Sequence, residues 1–168
     1  MTRLNRTCLR LVLAWAITQS ACAEEVKLSE LALNGGECAV SVASESPRRN
    51  EWILNVAMTY TGRKPLKIYE ASLPWKNRNS MVLVAVTTNG FALKEELMVD
   101  DPGAATRTIK PGEILSGRIS LHRRFPALAK ALADQDIILF WSCQLRPVEA
   151  APLERTGGWL LLRKSLSS

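Results

Sequence analysis

The segment EWILNVAMTYT, residues 51–61, determines the predicted fold class of this 168-residue chain. Its large side chains, from Trp52 to Tyr60, recur at every second position, opposite smaller or polar residues such as Asn55 and Thr59. Alternation with a period of two places the two sets on opposite faces of an extended chain, with the apolar set toward a core. The segment is therefore predicted to be a half-buried β-strand.

The same alternation continues on both sides of this segment, with turn-forming residues between the runs. It predicts strands over residues 37–44, 66–71, 81–87, 91–99, 106–110, 115–121, 137–145 and 159–163, with 26–33 as a further candidate. Residues 125–134 depart from it, because Phe125, Leu128 and Leu132 recur at helical spacing and Pro126 suits a first helical turn. The predicted fold is all-β: an immunoglobulin-like antiparallel β-sandwich of about seven to nine strands with one short helix near 125–134.

The N-terminal residues have the three parts of a secretory signal peptide. Three arginines precede the apolar run 11–17, and small residues follow it up to Ala23. The run is too short to span a bilayer, which takes about 20 apolar residues. We expect residues 1–23 to be cleaved after Ala23, leaving 24–168 as one periplasmic or secreted domain without a transmembrane segment. The alternatives are a buried N-terminal helix and a lipoprotein acylated at Cys22, although Gln19 occupies a position where an aliphatic residue is expected.

The net charge of the chain depends on this cleavage. The whole chain has 22 basic and 16 acidic residues, a net charge of +6. The predicted signal peptide contains three of the arginines and no acidic residue, so the mature chain has 19 basic and 16 acidic residues, or +3. Nucleic-acid-binding domains usually concentrate a larger excess on one face. We therefore expect no nucleic-acid partner.

The cysteines also depend on the cleavage, because Cys8 and Cys22 would leave with the signal peptide. The remaining pair, Cys38 and Cys143, predicts one disulfide in an exported domain. A count of alternating strand directions places both cysteines at the same end of the sandwich, and the period of two turns both toward the core. The alternative is two separate buried thiols.

Few residues are typical of catalysis. The only histidine, His122, lies beside Arg123 and Arg124 and is expected to be an exposed loop residue. The chain has no zinc-binding motif and no glycine-rich phosphate loop, so we predict no metal site and no cofactor. The acidic pairs 95–96 and 100–101 are adjacent in sequence, and neighbours on a strand point to opposite faces. A non-enzymatic protein is predicted, with a small carboxylate-dependent hydrolase as the alternative.

The loops have the stronger functional pattern. The count of strand directions gathers three loops at one end, where cations surround a tryptophan: Arg48, Arg49, Trp75, Lys76, Arg78, Arg123 and Arg124. Trp and Arg are favoured anchors of binding interfaces, so we predict a site for an unidentified protein or an anionic envelope component. Asp100 and Asp101 are expected at the same end. One alternative is that these are ordinary polar turns, with Trp75 beneath the sandwich edge. Another is an inhibitor or immunity protein that inserts residues 73–76 into the cleft of an exported enzyme.

Two segments resemble bacterial immunoglobulin-like domains. LNVAMTYTGRKPLKI, residues 54–68, resembles their strand–turn–strand unit, and TIKPGEILSGRISL, residues 108–121, resembles their I-x-P-G-E hairpin. The pair is also similar to intracellular-proteinase-inhibitor-type domains and to the β-domain that precedes the catalytic domain of deuterolysin-like and peptidyl-Lys metalloendopeptidases. The resemblance implies the sandwich fold. It transfers no catalytic residue, because the zinc-binding helix of those proteases has no counterpart here.

Overall fold

The computed structural model describes residues 36–48, 51–97 and 103–164. Strands are the dominant secondary structure in these residues, which confirms the all-β prediction. The described residues form eight strands: β1 Cys38–Arg48, β2 Glu51–Tyr60, β3 Leu66–Tyr69, β4 Met81–Thr87, β5 Thr106–Ile109, β6 Ile114–Ser120, β7 Ile137–Cys143 and β8 Thr156–Leu162. The predicted signal peptide, the candidate strand 26–33, Arg49 and the acidic pair 100–101 lie outside the described residues.

The strands form three antiparallel sheets, in the orders β1-β2-β6, β3-β5 and β4-β7-β8. In the first sheet, Val56 of β2 lies opposite Val42 of β1 and Gly117 of β6. In the third sheet, Leu139 of β7 lies opposite Ala85 of β4 and Leu160 of β8. The inward residues of both three-stranded sheets belong to one hydrophobic cluster. The core therefore lies between these two sheets.

The burial pattern of β2 confirms the alternation predicted for residues 51–61. Leu54, Val56, Met58 and Tyr60 are all buried, whereas the residues between them are only partly so. Burying a large apolar side chain stabilises a fold by about 1.5–3 kcal/mol. Trp52, predicted on the inward face, is only partly buried and packs against the edge of the core.

The prediction of a strand over 91–99 is wrong for its described part. The turn before it does form, with Gly90 at a φ of +91° and its N–H donating to the Thr87 carbonyl. Beyond the turn, residues 91–97 form only an isolated bridge between Val86 and Ala92. In this segment Glu95 forms ion pairs with Arg78 and Arg124, two arginines from elsewhere in the fold.

The helix predicted over 125–134 forms as α2 Leu128–Asp134, and a second short helix that was not predicted, α1 Leu121–Arg124, precedes it. Phe125 interrupts them with a φ of −128° and a ψ of 87°. The ring of Pro126 disfavours helical dihedrals at the residue before it, which explains the break. Among the described residues, no helix is both long enough and apolar enough to span a membrane.

Candidate functional site

One end of the first sheet gathers several chain segments. Ser120, the last residue of β6, lies opposite Ile53 near the start of β2, and α1 follows directly. The backbone of Arg48 closes β1 opposite Glu51 at this same end. Two of the predicted loop regions, the β1–β2 connection and α1, therefore lie at one end of the sheet.

A cavity of about 350 Å³ opens at this end, and we refer to it as the Trp75 groove. It is lined by Pro74, Trp75, Lys76, Asn77, Arg78, Arg118, Ile119, Ser120, Arg123 and Arg124. The structure thus brings together five of the residues predicted from the sequence: Trp75, Lys76, Arg78, Arg123 and Arg124. The segment between β3 and β4 and the last residues of α1 form two of its walls.

Trp75 is held against the first sheet. Its indole ring lies on Gly117 of β6, where any Cβ would overlap the ring, and the side chain is partly buried against the core. Leu73 is 1% exposed and Pro74 is also buried. Leu73, Pro74 and Trp75 are therefore packed onto the sheet, whereas Lys76 is exposed.

Arg124 is a structural residue of the groove and not the exposed contact that its sequence position predicts. It is 5% exposed, its Nε donates to Glu95 Oε1 at 2.6 Å, and its Nη2 donates to the Met81 carbonyl at 2.6 Å. Arg78 donates from Nε to the same Glu95 oxygen at 3.2 Å and from Nη2 to the Arg124 carbonyl at 3.3 Å. A partly buried charged network therefore ties the two walls of the groove together.

The remaining cations of the groove face solvent. Lys76 and Arg123 are both exposed. Arg118 of β6, which the sequence reasoning missed, is also exposed and forms an ion pair with Glu45. The sequence prediction was confined to loop residues, whereas the outward-pointing side chain of a residue near the end of a strand also lies on this surface.

Ser120, which lines the groove, lies beside His122. Ser120 Oγ lies 3.1 Å from His122 Nδ1 and 3.4 Å from Nε2. The histidine is half-buried at the start of α1 and is not the exposed loop residue expected from the sequence. In the part of the chain that the structure describes, no group of three His, Cys, Asp or Glu residues could hold a metal ion.

A second cavity of about 300 Å³ lies on the other side of the β3–β4 segment, and we refer to it as the Tyr69 groove. It is lined by Tyr69, Ala71, Ser72, Asn77, Asn79, Ser80, Val82, Gly103, Gln144, Arg146 and Arg155. Sequence reasoning missed this groove. Its two arginines follow β7 in a segment that has no strand or helix pattern, and only tertiary contacts place them beside Tyr69.

The cysteine pair lies inside the core. Cys38 and Cys143 are both buried free thiols, which confirms their inward orientation. Burial raises the pKa of Cys38 to about 11 and that of Cys143 to about 12. Cys38 also contributes to the raised pKa of Cys143. The disulfide itself stays a prediction.

Both grooves combine cations, side-chain amides and one aromatic residue, and no described residue that lines them is acidic. Such a surface can stack a planar or cyclic group and pair with negative charge. Neither protein-family models nor curated proteins give a match to this chain.

Proposed function

We propose that this chain is a non-enzymatic binding or accessory protein that recognises an anionic partner at the Trp75 groove. The observation that carries the proposal is the convergence of Trp75, Lys76 and Arg123 on one cavity whose described lining has no carboxylate. These residues come from chain segments more than forty positions apart, which only the fold places together.

The groove is organised before any ligand arrives. The indole ring of Trp75 packs on Gly117. Glu95 forms ion pairs with Arg78 and Arg124, which belong to two walls of the groove. A rigid site loses less conformational entropy on binding, which improves affinity at a given contact area. The exposed Lys76 and Arg123 then provide positive charge for an incoming anion.

The setting that we propose for this activity is the periplasm or the exterior of the cell. The support is the signal-peptide pattern of residues 1–23 and the placement of Cys38 and Cys143 in one core. In an oxidising compartment this pair would form the disulfide that joins β1 to β7. We also propose the immunoglobulin-like class of sandwich, supported by two three-stranded antiparallel sheets that share a core.

The proposal is tested on a dextran sulfate column eluted with a salt gradient. We compare the wild-type protein with Lys76→Ala/Arg123→Ala and with Arg63→Ala/Lys64→Ala. The second variant removes the same number of exposed cations from the turn after β2, at the opposite end of that strand.

The groove variant should elute at clearly lower salt than the control variant, because exposed charges act over only about 10 Å at moderate ionic strength. Elution of the two variants at the same salt would show that retention reflects net charge alone. That result would reject the Trp75 groove as the binding site.

A further inference from the structure

We infer that the Trp75 groove and the Tyr69 groove together bind one linear acidic polysaccharide. The inference rests on the proposed function, because the Trp75 groove is half of the suggested site. It adds the class of ligand and a second subsite.

The two grooves meet at Asn77, which lines both of them. The N–H groups of Lys76 and Asn77 both donate to the Leu73 carbonyl, at 3.0 and 3.3 Å, which forms a tight turn. Asn77 Oδ1 accepts from the Asn79 N–H at 2.9 Å, so the side-chain amide nitrogen keeps its two donor hydrogens for a ligand. A chain that crosses this turn would contact both grooves.

The side chains that line the Tyr69 groove suit an acidic sugar. Tyr69 is 37% exposed and offers part of its ring to the cavity. Asn79 is exposed and has a side-chain amide with donors and an acceptor, which suits the hydroxyl groups of a sugar. Arg146 and Arg155 have guanidinium groups that pair with carboxylates in a bidentate geometry.

Part of this groove is already ordered. Arg155 donates to Ser142 Oγ at 3.3 Å and to Gln144 Oε1 at 3.5 Å. Gln144 Nε2 in turn donates to the Leu153 carbonyl at 2.8 Å. These bonds hold the arginine beside the cavity without neutralising its charge.

The aromatic residues of the two grooves favour a saccharide over an acidic peptide. Each groove has one aromatic residue, Trp75 or Tyr69, on which a sugar ring can stack, whereas the side chains of an acidic peptide are not cyclic.

The volumes of the two cavities suit a short segment of such a polymer. At about 300 and 350 Å³, each cavity is at the lower end of the range for small-molecule sites, roughly 300–1,000 Å³. Each groove therefore accommodates a short piece of a polymer. Occupying the second groove after the first becomes an intramolecular step, which raises affinity without any new kind of contact.

The test measures dissociation constants by isothermal titration calorimetry for oligogalacturonates of increasing length, from the disaccharide to the octasaccharide. Wild-type affinity should rise by at least about tenfold across the series. Arg146→Ala/Arg155→Ala and Lys76→Ala/Arg123→Ala should each weaken octasaccharide binding about tenfold or more. Arg63→Ala/Lys64→Ala should bind as the wild type does, and the neutral maltooctaose should not bind.

The outcomes separate the two proposals. Wild-type affinity in Arg146→Ala/Arg155→Ala would overturn the second subsite and leave the proposed function standing. Wild-type affinity in Lys76→Ala/Arg123→Ala would instead reject the Trp75 groove and the proposed function with it. Equal affinity for octaglutamate and the octasaccharide would overturn the ligand class. Failure of every oligogalacturonate to bind would overturn the inference, while the dextran sulfate column judges the proposed function independently.

Discussion

The indole ring of Trp75 lies directly on Gly117, so that a residue between β3 and β4 covers the one position of β6 that has no side chain. The contact links the fold to the candidate site. It shields the first sheet and at the same time presents the indole to the groove.

The first prediction concerns this contact. Gly117→Ala should lower the free energy of unfolding by about 1–3 kcal/mol, because the added methyl group displaces the ring from a packed position. Binding to dextran sulfate should weaken as well, since the displaced indole no longer lines the groove as it does now. Chemical denaturation measures the first effect and salt elution the second. Ser116→Ala, at an exposed position of the same strand, is the matched control and should change neither.

The second prediction concerns Glu95, which accepts hydrogen bonds from Arg78 and Arg124. Glu95→Gln removes the negative charge beside the buried Arg124 while preserving the shape of the side chain. It should cost about 2 kcal/mol of stability, because the buried Arg124 loses the charge of the Glu95 carboxylate. Chemical denaturation measures the loss. The neighbouring Glu96→Gln is exposed and serves as the control; equal stability of the two variants would contradict the structural role of Glu95.

The third prediction concerns Asp136, which precedes β7. The Lys164 N–H donates to its carboxylate at 2.7 Å and Arg163 at 3.2 Å. The first bond, followed by the Arg163 interactions, lowers the pKa of Asp136 below its ordinary value. A lowered folded-state pKa stabilises the protein above the unfolded-state pKa, and this contribution disappears as the pH falls through the folded-state pKa.

Asp136→Asn should therefore be less stable than the wild type at neutral pH, and the difference should vanish in acid. Thermal unfolding measured across the acid range checks this, with Asp134→Asn as the matched control, an exposed acidic residue two positions earlier. A stability difference that stays constant at all pH values would exclude the charge as its cause.

The fourth prediction concerns the cysteine pair. The protein recovered from an oxidising compartment should have a mass that corresponds to cleavage after Ala23 and to the loss of two hydrogens. Reduction should then lower its stability, by roughly 4–5 kcal/mol on the chain-entropy model. Cys38→Ala/Cys143→Ala should be insensitive to reductant. An unchanged mass together with a reductant-insensitive wild type would contradict the disulfide.

The fifth prediction concerns the reduced form of the same pair. Because burial raises the pKa of Cys38 to about 11 and that of Cys143 to about 12, both thiols stay protonated at pH 8. Iodoacetamide should therefore label them slowly in the folded reduced protein and rapidly in denaturant. Because each thiol has a higher pKa in the folded than in the unfolded protein, its contribution to stability is fully present below the ordinary thiol pKa. That contribution is lost as the pH rises through the folded-state pKa values. Rapid labelling of the folded protein at pH 8 would show that the thiols are not enclosed.

Residues 51–61 show how much of the fold could be predicted from local pattern. The faces of β2 and the burial of Cys38 and Cys143 follow from the period of two, which depends only on a residue's neighbours in the chain. The burial of Leu128 and Leu132 on one side of α2 follows in the same way from helical spacing.

The errors arose where distant residues compete with local pattern. Residues 91–97 alternate as a strand should, yet they form only one bridge to β4, and Glu95 pairs instead with the distant Arg78 and Arg124. Likewise, loop composition predicted Trp75, Lys76 and Arg123 as binding residues. It could not show that Arg124 is buried or that the indole ring of Trp75 packs on Gly117.

Sequence alone established a β-rich chain, the inward faces of its strands and the residue types available for binding, because these properties are encoded within a few positions of each residue. Tertiary structure alone decided which cations face solvent, how Trp75 is held, and that Asn77 joins a second groove to the first. The physical reason is that burial and ion pairing depend on segments that are far apart in the chain and meet only when the sheets pack.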